Sequence, residues 1–122
     1  MRIDMKSRTK KFTIACSLLC SKLPHSREFN AYVNQLIRSS SSVGANYRAS
    51  QRAKSTADFI NKLKIVEEEA DESLFFLEII SEINTNQKIK NEIEYLLKEG
   101  NEILAIVVAS IKTLRNNQNN KK

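Results

Sequence analysis

A chain of 122 residues fits one domain, and its 41% hydrophobic content is too high for general disorder. Two Gly and one Pro permit long unbroken helices, and the scarcity of Val and Thr beside Leu, Ile, Lys, Glu, Ala and Asn argues against a sheet. The net charge of +6 is uneven, with 13 Lys/Arg and 3 Asp/Glu in residues 1–64 but 7 and 11 in residues 65–122.

The first predicted helix covers roughly Met5 to Ser21. Phe12, Ala15, Cys16, Leu19 and Leu23 recur at three- and four-residue steps, the period of a one-sided helix. Pro24 ends it, because the residue before a proline avoids helical geometry. Ser26 is the expected N-cap of the second helix, without the Glu or Gln of a capping box, since Phe29 holds that position. Phe29, Val33, Leu36, Ser40, Val43 and Tyr47 form its apolar stripe. Composition alone makes SSSSVG a linker. The stripe nevertheless continues through it in phase from Leu36 to Val43 to Tyr47, so the helix is expected to run to about Ala53. The small Ser39, Ser40, Gly44 and Ala45 would let another helix approach closely.

Ser55 caps the third helix, with Asp58 as the carboxylate partner of a capping box. Phe59, Leu63, Val66, Ala70, Ser73, Leu77 and Ile80 keep the helical period, and a polar turn at residues 84–86 follows. The fourth helix is expected from Lys88 to Leu114, its face built from Ile89, Ile93, Leu96, Leu97, Ile103, Leu104, Val107, Val108, Ile111 and Leu114. Gly100 interrupts it once, at a cost of ~1 kcal/mol relative to Ala. Short connections make consecutive helices antiparallel neighbours, which predicts an all-α, up-down-up-down four-helix bundle over residues 1–115 with a disordered polar tail at 116–122. Tyr32, Ile60, Ile65, Phe75, Ile79 and Ile106 fall off the core stripes. Such leftover apolar surface marks association, and Tyr32, Tyr47, Ile60, Phe75 and Ile79 are the interface candidates.

The chemistry of an enzyme is missing from this sequence. A lone His25 removes Ser-His, Cys-His and His-rich metal designs. No Gly-rich phosphate loop occurs. The carboxylates of the third helix lack the Glu-x-x-His pairs of a di-iron bundle, so no cofactor or metal is expected. Cys16 and Cys20 read as small buried apolar residues in a reducing compartment. No apolar run approaches the ~20 residues of a membrane span. A cytoplasmic protein without a membrane partner is the expectation.

The basic first half suits a polyanion through counterion release, a neighbouring subunit's acidic half, or simple solvation. Arg38, Arg48, Arg52, Lys54 and Lys62 form one candidate cluster for nucleic acid, and Arg8, Lys10 and Lys11, with Arg2 and Lys6, a second. Guanidinium groups fit phosphate, and equally carboxylates across an interface. Neither spacing is that of a base-reading motif, so binding should be to the backbone. Tyr47 suits base stacking in principle, but its place on the apolar stripe favours packing.

The central stretch carries Gln35, Arg38 and Ser39, then Val43, Ala45, Asn46, Tyr47 and Arg48, then Arg52 in a short turn. Ala57, Asp58, Phe59, Lys62 and Leu63 follow, then Glu69, Ala70, Asp71, Glu72, Ser73, Leu74, Leu77 and Glu78. This pattern resembles the bacterial four-helix-bundle proteins found as reading frames inside intervening sequences of 23S ribosomal RNA genes. One departure is at Ser50: the family often continues Arg-Glu-Ala where this chain runs Arg48-Ala49-Ser50, which speaks against a carboxylate role near this turn. The family is similar in turn to the accessory variability protein of diversity-generating retroelements. The resemblance implies a homopentameric ring, no established catalysis, and partners that include RNA or DNA and a protein such as a reverse transcriptase. The leading expectation is an oligomeric RNA-associated protein. The alternative is a structural or adaptor module whose charge serves self-assembly.

Overall fold

The computed structural model describes residues 4–120. They form four helices, α1 (Met5–Cys20), α2 (Arg27–Ser50), α3 (Thr56–Ile83) and α4 (Gln87–Asn120), with no strand among the described residues. Neighbouring pairs are α1–α2, α2–α3, α3–α4 and the more thinly packed α1–α4. Joined by short turns, they make the expected up-down-up-down bundle.

Local chemistry fixes the helix starts. The Asp4 carboxylate accepts from the Ser7 N–H at the head of α1, at 3.2 Å. Ser26 Oγ caps α2 through the Phe29 N–H and Ser55 Oγ caps α3 through the Asp58 N–H, both at 3.1 Å. The Asp58 carboxylate reaches one residue past the position a capping box uses and accepts from the Lys54 N–H. Asn86 Oδ1 accepts from the N–H groups of Lys88 and Ile89 and so starts α4.

The four apolar stripes meet along the axis. Phe12, Cys16, Leu19, Leu36, Val43, Leu63, Val66, Leu77, Ile80, Ile93, Ile103 and Val107 are buried. Each large aliphatic among them contributes about 1.5–3 kcal/mol of transfer free energy. Residues 39–45 are helical throughout, so the serine run belongs to α2 and is no linker. Its small residues admit α1: a Cβ on Gly44 would lie 2.8 Å from Thr13 Oγ1 and 3.5 Å from the Thr9 carbonyl oxygen. The Thr13 hydroxyl donates across this contact to the Ser40 carbonyl. Gly100 plays the same part in α4, where a Cβ would lie 2.8 Å from Leu74 Cδ2 and 3.3 Å from Phe12 Cε1. Its cost in helix propensity is thus offset by the approach of α3 and α1. Burial pushes the thiols up, Cys16 to about 12 and Cys20 to about 11, and leaves them as packed, protonated side chains.

Three expectations are corrected. Ile60 is a core residue at 7% exposure, because it lies three residues before Leu63 and shares its inward face. It therefore lies inside the protomer and not on the outer surface assigned to it. Val108, placed on the core face of α4, is instead 44% exposed. The helix α4 also continues to Asn120 rather than ending at Leu114, with residues 115–120 exposed on all sides. Arg2 and residues 121–122 lie outside the described residues. The description covers no helix long and apolar enough to cross a membrane.

Candidate nucleic-acid interface

Because the helices alternate in direction, the uneven charge of the sequence becomes a polarity along the bundle. One end gathers residues 4–11, 43–66 and 105–120, with eleven Lys and Arg against Asp4 and Asp58. The other end gathers residues 12–42 and 67–104, with six Lys and Arg against twelve Asp and Glu.

The candidate cations divide into two groups. Arg38 spans from α2 to α3, donating to Glu69 at 3.1 Å and to Glu72, while its Nε donates to Gln35 at 3.2 Å. One turn deeper, the buried Ser73 hydroxyl donates to Ser39 Oγ at 2.9 Å, and Ser39 donates to the Leu36 carbonyl. Gln35, Arg38, Ser39, Glu69, Glu72 and Ser73 are thus one clasp between antiparallel helices, polar outside and hydrogen-bonded inside. Arg8 is engaged in the same way. It makes a two-pronged contact with Glu99 on α4, both prongs at 2.8 Å, and lies 3.7 Å from Glu102. The Arg8 hydrogen bond holds the Glu99 carboxyl below the usual carboxylate range. Arg8 and Arg38 make ion pairs inside the protomer, which sets them apart from the other candidate cations. Part of the basic half meets the acidic half within one chain.

The second group makes no ion pair within 4 Å among the described residues. Arg48, Arg52, Lys54, Lys62, Lys10 and Lys11 all belong to it, and all lie at the basic end. An open groove of about 590 Å³ between α1 and α2 is lined by Lys6, Lys10, Thr13 and Ile14 of α1 and by Ser41, Gly44, Ala45 and Arg48 of α2. Lys54 borders a shallower hollow at the α2–α3 turn with Ser50, Gln51, Ser55 and Phe59. Lys6 belongs to the N-terminal basic group read from the sequence, but that reading did not single it out as a site residue. The signal that could have found it is its one-turn spacing from Lys10, which puts both on one face of α1.

The remaining apolar candidates vary in exposure. Phe75 is 54% exposed, Tyr32 is half-buried with its ring centroid 6.4 Å from that of Phe76, and Ile79 and Tyr47 are half-buried. Outside the expected set, Leu18 at 57% and Ile14 project from α1 and Tyr95 at 68% from α4. No group of three or more His, Cys, Asp or Glu able to hold a metal ion occurs among the described residues.

A family model described as 23S rRNA-intervening sequence protein matches residues 1–109. Comparison with curated proteins finds no match. Among solved structures, the chain is similar to a protein of unknown function from the S23 ribosomal protein family of Bacteroides thetaiotaomicron VPI-5482. The two share 31% identity over 88% of this chain and 98% of that one, with a TM-score of 0.77.

Proposed function

The chain belongs to the family of 23S rRNA-intervening sequence proteins, and from that premise we propose that it is a non-enzymatic, self-associating, cytoplasmic protein that binds RNA through the basic end of its bundle. One observation carries this reading. Ten of the eleven cations of that end make no ion pair among the described residues, whereas Arg8 beside them and Arg38 further along α2 do. Unpaired Lys and Arg on one end attract a polyanion and gain affinity by releasing its counterions. Guanidinium groups at Arg48 and Arg52 suit phosphate oxygens, and the interaction is with the backbone rather than with base edges.

Self-association is part of the same proposal, as the homopentamer that the family resemblance implies. The exposed Phe75, Ile14 and Leu18 support it, since apolar side chains at this exposure gain from being covered. In the second reading the protein is an adaptor, and the acidic end of one copy meets the basic end of the next. Sedimentation separates the two: an assembly that dissociates on raising salt alone favours the adaptor.

The test of RNA binding is titration of the protein into labelled RNA at about 50 mM salt. Affinity should fall steeply with added salt. Arg48→Glu with Arg52→Glu should weaken it at least ~10-fold, about 1.4 kcal/mol. No binding at low salt, or binding indifferent to the double variant, sinks the proposal.

A further inference from the structure

All eight aromatic side chains of the sequence have a definite place. Phe12 is buried, and Phe29, Tyr32, Tyr47, Phe59 and Phe76 are half-buried against the core. The two exposed rings lie at the acidic end. Phe75 stands on α3 between Glu72 and Glu78, and Tyr95 stands on α4 beside Glu94 and within reach of Arg8 and its partner Glu99. The basic end therefore offers a phosphate a broad cap of cations drawn from all four helices, while its rings, Tyr47 and Phe59, are half-buried against the core and none stands fully exposed for a base.

These placements bear on which nucleic acid fits. Proteins that hold single strands combine a basic track with rings on which successive bases stack, at about 1–3 kcal/mol per base. A duplex keeps its bases stacked on one another, so no ring is needed to hold them, and presents its backbone at high charge density, one charge per ~1.7 Å of axis in double-stranded DNA. Resting on the RNA-binding reading, we infer that the ligand class is base-paired RNA, with one strand's backbone lying along the α1–α2 groove between Lys6, Lys10 and Arg48. The small, exposed Ser41 and Ala45 in the groove's lining leave room for the sugar-phosphate chain, and the second strand meets the cations at the α2–α3 turn.

The experiment compares a labelled RNA hairpin with oligouridylate of the same number of phosphates, using the full chain at about 50 mM salt. The hairpin should bind at least ~10-fold more tightly, and unlabelled oligouridylate should compete poorly. Equal or tighter binding of oligouridylate, including by stacking on Arg48 or Arg52, overturns this inference and leaves the RNA-binding proposal standing. Binding of neither overturns both. Tyr47→Leu, checked for intact helicity, should leave both affinities within ~2-fold. A loss of more than ~5-fold for oligouridylate in that folded variant also overturns the inference.

Discussion

Midway along α2 the guanidinium of Arg38 reaches two carboxylates of α3, and further along the same helix Arg48 reaches none among the described residues. The two arginines look alike in the sequence and both belong to the motif that resembles the intervening-sequence family. Antiparallel pairing separates them. Arg38 lies level with the acidic run Glu67 to Glu72, while Arg48 lies level with the start of α3, where Lys62 and Lys64 are the nearest charged residues of that helix after Asp58. A shared motif thus divides into a part that closes the bundle and a part that the bundle leaves available. Charge count alone does not distinguish them, but register does.

Several variants would break or sharpen that comparison. The largest effect is expected from charge reversal at Arg48 and Arg52, which should lower RNA affinity at least ~10-fold while the melting temperature stays close to wild type. A fall in stability as large as the fall in affinity would show that these arginines also serve the fold. Next comes Gly44→Leu, which would drive side-chain atoms into Thr13 and the α1 backbone. Chemical denaturation should show a loss of about 1–3 kcal/mol, the usual cost of overpacking a close contact.

Smaller effects belong to the clasp and to the Arg8 pair. Ser73→Ala removes the donor to Ser39 but leaves Ser39 bonded to the Leu36 carbonyl, so denaturation should register about 1 kcal/mol with RNA affinity unchanged. The Arg8–Glu99 pair is only partly buried, and its contribution is about 0.5–1 kcal/mol. Its pH dependence has a definite sign. Arg8 holds the Glu99 carboxyl below its ordinary value, so the stabilisation is complete above that value and is lost as pH falls through the lowered one. The urea midpoints of wild type and Glu99→Gln should therefore differ at pH 7 and converge as pH falls below about 4. A constant gap across that range would contradict the pairing.

Much of the architecture was legible in the sequence. The phase of Leu36, Val43 and Tyr47 carried α2 through a serine run whose composition suggests a linker, and Ser26 and Ser55 marked two helix starts. The basic end was legible only as a basic half. Periodicity reports which face a residue takes on its own helix and says nothing of the level at which two helices meet. For that reason the partners of Arg8, more than ninety positions away in sequence, and of Arg38 could not be read, and Arg38 was grouped with Arg48 and Arg52, Arg8 with Lys10 and Lys11. Ile60 was missed because Phe59, four residues before Leu63, gave the more regular stripe, although a step of three serves burial equally well. Lys6 emerged as a groove residue only once α2 was seen to pass beside it.

The division between Arg38 and Arg48 is tested most directly by the salt dependence of hairpin RNA binding in two single variants. Arg48→Ala should reduce the slope of log affinity against log salt by about one phosphate contact and leave the melting temperature unchanged. Arg38→Ala should leave the slope unchanged and lower the melting temperature. Equal loss of slope in both variants would contradict the account, because it would place Arg38 on the nucleic acid rather than in the clasp.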